Sequence, residues 1–391
     1  MEKNIFCIFC GIVFGVVNLN AGSVRLDGMG GVDIAVEDIE SEMSENPAKW
    51  LDFNKPALMF NGFYSECEYF DDYNNLIDCF HYRNFFTRKL EGYALYPFKK
   101  AVFGLGYTDN LNGYKYWSLS PYWHYKEGEY VEGICTNTSY QRSISHCPIF
   151  CAGIKVKTIN IGVMAKLSNA PPSIYKSETT YNFDSSSYCS DTSDYSASNY
   201  SYILGITTSG VPKTYISGSI EYSEYKRLYS KASDFDHNSY STKVNLLVRR
   251  KITDWLTIGT KTYYRYWHDH SDTPFGAFNY FYWYYNGIPL GIVISPDSQT
   301  IIGMDVYDLI KISTNFVRMS YPRIVIGAER LVGQFALRCG LEACQAYDGW
   351  KDYTFDPKVG IGYHLTNKLN LDLTMEPMDW YPWKMALQYK F

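Results

Sequence analysis

Apolar and polar residues alternate one by one in run after run of this chain. In INIGVMAKL, Ile159, Ile161, Val163, Ala165 and Leu167 share one face, and Asn160, Gly162, Met164 and Lys166 share the other. KVNLLVRR sets Val244, Leu246 and Val248 against Lys243, Asn245 and Arg249. LTIGTKTYYRY sets Leu256, Ile258, Tyr264 and Tyr266 against Gly259, Lys261 and Arg265. QFALRCGLE and LNLDLTM repeat the pattern, with Arg338, Glu342 and Asp372 on their polar faces. A period of two belongs to a strand that is oily on one side and wet on the other, and it predicts a half-buried antiparallel sheet. The closing run YPWKMALQYKF puts Tyr381, Trp383, Met385, Leu387, Tyr389 and Phe391 on one face. An unpaired edge so apolar invites aggregation, whereas the last strand of a barrel has a neighbour on both sides.

The runs come in pairs. Lys99-Lys100, Lys157-Thr158, Ile252–Asp254, Leu331–Gly333 and Thr366–Lys368 are short links between them. Other connections are longer, and the serine- and tyrosine-rich stretch from Ser168 to Asn199 reads as the longest loop. Short turns at one end and long loops at the other are the pattern of an outer-membrane barrel, whose alternating strands escape hydropathy averages. The sequence therefore predicts an all-β fold: a transmembrane antiparallel outer-membrane β-barrel of about 14 strands, within a range of 14–18. Two regions resist reading. Leu76 to Lys89 fits loop or strand, and Asn286 to Ser320 fits a hairpin, GIPLGIVIS with TIIGMDV, or a short helix in DVYDLIKI.

Composition agrees with a barrel. Aromatic residues make up 18% of the 391 residues, mean hydropathy is −0.26, and the formal net charge of −5 argues against nucleic acid as a partner. After the N-terminal segment no run approaches the 18 apolar residues of a spanning helix. At the N-terminus, Lys3, the apolar stretch Ile5 to Val17 and Leu19-Asn20-Ala21 resemble an export signal over 1–21, with an anchor helix as the alternative. Eight cysteines follow it. They form no CxxC pair, so a metal site is not expected, and a Cys135–Cys147 loop staple is one candidate pairing among many.

The polar faces carry Lys166, Lys243, Lys261, Arg265, Glu329, Arg338, Glu342 and Asp372, expected to point into a lumen, where opposite charges pair or set a selectivity field. In RYWHDHSD, His268 and His270 share a strand face beside Asp269 and Asp272; a metal or hydrolytic site and a wet rim are both compatible. The aromatic patch Tyr280 to Tyr285 suits an interfacial girdle or a ligand surface. No GxSxG, HExxH or phosphate loop occurs, so neither an enzyme nor a cofactor is expected.

Several motifs resemble those of the long-chain fatty-acid outer-membrane transporter superfamily, which includes the attachment-shuttle barrels of type IX secretion. They are GMGGVDIAVED followed by Asn46-Pro47-Ala48, the hairpin GYALYPFKKAVFGLGY, and RIVIGAERLVGQFALRCGLEA with VGIGYHL and the terminal Phe391. The resemblance implies a hatch-like segment over 22–56, with Asn46 and Pro47 on the solute path, and a barrel over 57–391. It implies passive uptake or export of hydrophobic or small amphipathic solutes across the bacterial outer membrane, with a lateral opening in the wall. Outer-membrane lipid and the barrel-assembly machinery, which would read Tyr389 and Phe391 as a C-terminal signal, are the expected partners of a monomer. The alternative is a scaffold or adhesin that holds a secreted protein or a surface through long outer loops.

Overall fold

The computed structural model describes residues 25–26, 29, 31–72, 80–126, 129–181, 188–229, 236–273, 276–286, 289–307, 311–313, 317–318, 323–345, 353–366, 369–375 and 383–390. The proposed export signal and Phe391 lie outside them.

Sixteen antiparallel strands form a closed ring. They are β1 (Ala57–Asp72), β2 (Phe80–Phe98), β3 (Ala101–Lys126), β4 (Glu129–Val156), β5 (Ile159–Tyr181), β6 (Tyr188–Thr208), β7 (Thr214–Tyr229), β8 (Asp236–Lys251) and β9 (Leu256–Thr273). Three strands then come in two segments each: β10 (Gly276–Asn286 and Leu290–Asp297), β11 (Thr300–Tyr307 and Lys311–Ser313) and β12 (Val317–Arg318 and Arg323–Val332). β13 (Phe335–Gln345), β14 (Tyr353–Thr366), β15 (Leu369–Met375) and β16 (Trp383–Lys390) complete the wall. Closure comes from β1 against β16, in register from Ala57 opposite Lys390 to Tyr64 opposite Trp383. The apolar C-terminal run is thereby paired on both sides, through Tyr389 with Leu58 and with Leu369. The count exceeds the expected 14 and lies within the expected range.

Alternation places the oily residues outside. Phe103, Leu105, Val163, Leu204, Ile206, Ile220, Leu246, Ile326, Leu337 and Ile361 are all exposed, while their in-between neighbours Val102, Met164, Ile203 and Val325 are buried. On β2 the outward positions from Leu90 to Phe98 are uncharged, and Arg88 follows, paired with the outward Asp109 of β3. That height matches the ~9–11 residues with which a tilted strand crosses a bilayer, where an outward Arg or Lys costs roughly 2–4 kcal/mol at mid-depth. The wall is therefore built to face hydrocarbon. No described helix is long and apolar enough to cross a membrane.

The structure corrects three expectations. Ser168 to Asn199 is not a long loop: β5 runs to Tyr181 and β6 starts at Tyr188, paired from Ile159 opposite Thr208 to Thr180 opposite Tyr188. Beyond the membrane a barrel wall is wet on both faces, so its strands lose the alternation that would reveal them, and serine, threonine and tyrosine look like loop. DVYDLIKI forms no helix where it is described: Thr300–Tyr307 and Lys311–Ser313 are strand, and GIPLGIVIS with TIIGMDV is the expected hairpin. The Cys135–Cys147 staple fails on geometry. Both cysteines lie on β4, 12 positions apart, about 40 Å along one strand at ~3.3 Å per residue, and Cys147 is a free thiol.

Candidate functional site

The described residues from Arg25 to Phe53 lie inside the ring and fill the short-turn end of its lumen. Its fold is local in origin. The helix Ile39–Glu45 ends at Asn46, whose extended backbone (φ −134°) and side-chain oxygen, accepting from Ala48 N at 3.0 Å, cap the 3-10 turn Pro47–Asp52. Asn at a cap and Pro in the first turn are the residues such a start favours. Trp50 Nε1 donates to Met43 O at 2.9 Å and ties the turn back to the helix.

The wall makes room for this plug with glycine. Inward-facing Gly104 lies against the Trp50 ring, Gly162 against Pro47, Gly205 against the Asn46 amide, Gly259 against the Ile34 carbonyl, Gly303 against Val32 and Gly327 against Met29. At each site a Cβ would overlap the plug. Two arcs of wall therefore hold two ends of one segment: β9–β12 hold residues 29–36, and β3–β6 hold residues 46–53. Asn46 is the junction. Its Nδ2 donates to Ile206 O at 3.1 Å, Ser217 Oγ at 2.7 Å and Gly218 O at 2.9 Å.

Charge completes the attachment. Lys49 is fully buried and meets Glu37 at 2.8 Å, Asp52 at 3.0 Å and Glu42 at 3.4 Å, with the Tyr215 ring 4.4 Å away. Burial pushes its ammonium pKa down, but Glu42, Tyr215, Asp52 and Glu37 outweigh burial and hold it above the ordinary lysine value. Arg249 binds Glu42 and donates to Ile34 O at 2.7 Å and Asp33 O at 2.9 Å. Lys261 meets Asp33 at 2.8 Å and Glu45 at 3.1 Å. Asp305 accepts from the Asp33 and Ile34 amides at 2.6 and 2.9 Å, and Tyr307 Oη donates to Gly31 O at 3.2 Å. Arg25 grips Glu329 at 2.8–3.2 Å, and Arg338 spans Glu329 at 2.6 Å and Asp372 at 2.5 Å. Burial raises the carboxyl pKa values of Asp33, Glu37 and Glu45, yet their cationic partners, Lys261 for the first and last and Lys49 for Glu37, leave all three below the ordinary range.

The eight lumenal residues expected from sequence thus separate into two sets. Lys166, which donates to Ser44 O at 3.0 Å, Lys261, Glu329, Arg338 and Asp372 belong to the plug or its anchoring network. Lys243 lies over the Tyr263 ring, Arg265 over the Trp267 ring, and Glu342 pairs with Arg323 and Lys358 farther up the wall. Arg249, Asp305, Tyr307 and Lys49 were missed. Arg249 shares the face of Lys243 in KVNLLVRR, and alternation across TIIGMDVY would have exposed Asp305. Nothing in PAKW signals that Lys49 is buried. His268 and His270 form no shared site: His268 stacks on Phe281 at 4.4 Å, and His270 Nδ1 is 2.7 Å from Asn279 Oδ1. Among the described residues no group of His, Cys, Asp and Glu is arranged to hold a metal ion.

The plug is apolar as well as charged. Met43, Trp50 and Phe53 pack with an inward patch of wall residues that includes Met59, Tyr93, Val102, Ile149, Cys151 and Met164. The Trp50 and Tyr93 rings meet edge to face at 5.5 Å. Below it, a cavity of about 460 Å³ lies between Arg25, Val36 and Glu37 of the plug and Lys213, Tyr215 and Lys251 of the wall. The ladder of the wall is irregular between Ile294 and Asp297 on β10, between His364 and Thr366 on β14, and on β4 and β5. Register shifts between Arg142 and His146 on β4 and between Ala170 and Ser173 on β5 flank the prolines Pro148, Pro171 and Pro172, which have no N–H to give to a ladder.

No family model and no curated protein matches the chain. Among solved structures, the toluene transporter TbuX of Ralstonia pickettii superposes with a TM-score of 0.51 at 10% identity, over 96% of this chain and 99% of that one. A deletion mutant of TodX, a monoaromatic hydrocarbon channel and toluene transporter of Pseudomonas putida, gives 0.52 at 9% identity, over 95% and 99%. The chain has the fold of these hydrocarbon-channel barrels.

Proposed function

We propose that the protein is a plugged channel of the bacterial outer membrane that lets hydrophobic or small amphipathic solutes cross passively. The observation that carries this reading is the seat of Trp50, an indole held with no exposure in an apolar patch of the inner wall. A wall lined only for ions has no use for such a patch, whereas a wall that hands on apolar solutes needs one. Solute entering from the open end meets this patch once the 46–53 turn swings away, and Asn46 and Pro47 stand at its hinge. The proline-interrupted stretch of β4 and β5, at the upper edge of the belt, gives the solute a sideways exit where the wall leaves the membrane. The solutes named for TbuX and TodX, toluene and other monoaromatic hydrocarbons, set the size class to try first. No reaction is involved; the chain supplies a path and transient apolar contacts. Uptake of a small aromatic hydrocarbon by protein-loaded liposomes tests the proposal: flux above that of empty vesicles is expected, and flux equal to theirs would reject it.

One observation favours the scaffold reading as well. β3, β4 and β5 span 26, 28 and 23 residues, far beyond a bilayer crossing, while β15 and β16 span 7 and 8. The tall arc is a surface on which a secreted partner could sit. Removing residues 177–191, above the proline-interrupted stretch, separates the two roles, because it abolishes partner binding and spares solute flux.

A further inference from the structure

The short-turn end of the tall arc is basic although the whole chain carries a net charge of −5. Lys99 and Lys100 form the β2–β3 turn, Lys155 and Lys157 flank and form the β4–β5 turn, and Lys213 ends the β6–β7 turn; all five are exposed. From Pro97 to Phe103, Gly153 to Ile161 and Thr208 to Tyr215 there is no acidic residue. Three of these lysines sit in the left-handed region, at φ 53° for Lys99, 56° for Lys157 and 57° for Lys213. Glycine takes this conformation most easily, and Gly333 takes it at φ 62° in the corresponding turn between β12 and β13. The chain thus places a cation where glycine is the easier choice, three times on one arc.

The second observation lies just above. On the outer face of β4–β7 a groove of about 600 Å³ is lined by Phe150, Ala152, Val163, Ala165, Tyr202 and Leu204. Ala152 and Ala165 form its floor between larger exposed neighbours. Along β5 the outward positions run from Val163 through Ile161 and Ile159 to Lys157, so the groove drains toward the basic turns. An apolar slot on the outer face whose β5 row leads to Lys157 is complementary to an amphipathic anion.

We propose that this face binds an anionic phospholipid of the leaflet on the short-turn side, with an acyl chain in the groove and the phosphate at Lys157, below it, and at Lys99 of the adjacent turn, whose Nζ lies 5.5 Å from the ring of outward Phe98. The inference rests on the membrane-channel reading above. Lysines at a membrane surface attract anionic lipid by roughly a factor of five each, and long lysine stems lie along apolar surface while the ammonium stays in the polar layer.

The test uses the full chain reconstituted in equimolar phosphatidylcholine and phosphatidylglycerol. The protein is withdrawn in mild detergent, and the retained lipids are quantified by mass spectrometry. Phosphatidylglycerol should be enriched about fivefold or more in the wild type. Enrichment should fall to parity in the double variant Lys99→Gln, Lys157→Gln, and fall in Ala152→Phe, Ala165→Phe, which fills the groove without touching a charge. Heat-modifiable migration on gels establishes that each variant is a folded barrel. A folded, inserted wild type that retains the two lipids equally would overturn this inference alone and assign the lysines to an acidic soluble partner. A chain that inserts into neither lipid would overturn it together with the channel reading.

Discussion

The Asn46 side chain occupies the space that a Cβ on Gly205 would need, and from there its amide reaches three acceptors on β6 and β7. Plug and wall are fitted to each other at this point. Asn46→Ala leaves buried acceptors unmatched, at a cost of about 1–3 kcal/mol, so the plug should leave its seat roughly 5- to 150-fold more often. Gly205→Val should do the same by displacement. Ion conductance in planar bilayers reads both; conductance at the wild-type level in both variants would show that Asn46 does not hold the plug.

Arg338 neutralises Glu329 and Asp372, and its side chain is only 2% exposed. Arg338→Met would strand the half-buried Asp372 and leave Glu329 to Arg25 alone, and should destabilise the barrel by about 3–5 kcal/mol. Arg25→Met should cost less, because Arg25 is more exposed and Arg338 continues to hold Glu329. The temperature at which the barrel band is lost on gels ranks the two; a larger drop for Arg25→Met would contradict this order.

Acid should loosen the plug. Asp33, Glu37 and Glu45 have pKa values below their ordinary values of 3.8, 4.5 and 4.5. A carboxylate depressed by docking stabilises the docked state above its ordinary pKa, and that stabilisation disappears as pH falls through the depressed value. Docking should therefore be constant near neutrality and weaken below about pH 4. Lys49 works in the opposite sense, its contribution persisting until pH rises past the ordinary value of 10.5. Protease access to residues 31–53, measured against pH, checks the window; release already at pH 6 would implicate other groups.

Trp50→Ala should vacate the inner-wall patch at a cost of about 3–5 kcal/mol in plug docking, and Trp50→Phe should retain most of the seat. Solute flux into liposomes should rise in the first variant and change little in the second. Equal flux in wild type, Trp50→Ala and Trp50→Phe would remove Trp50 from the path.

The membrane-spanning belt was legible because period-two alternation survives wherever one face meets hydrocarbon and the other a lumen. INIGVMAKL and QFALRCGLE gave the facing of every residue in them. The upper wall was not legible, since strands such as those at Ser168 to Asn199 meet water on both faces and nothing enforces alternation. A hatch-like segment was expected only from the family resemblance carried by GMGGVDIAVED and the Asn46-Pro47-Ala48 step, and none of its contacts was legible. Lys166, Lys261 and Glu329 could be placed on the inner face, yet their partners lie more than 100 residues away in sequence, where no local pattern links Lys261 to Asp33 or Glu329 to Arg25.

The central claim is a wall whose alternate residues face hydrocarbon and a sealed lumen. Spin labels placed singly at 160 through 167 in liposome-reconstituted protein measure it, through their collision rates with dissolved oxygen and with a water-soluble nickel chelate. The account predicts oxygen access peaking at 161, 163 and 165 with minima at 162, 164 and 166, and nickel access low at the three peak positions. Nickel access high at 161, 163 and 165 would contradict it.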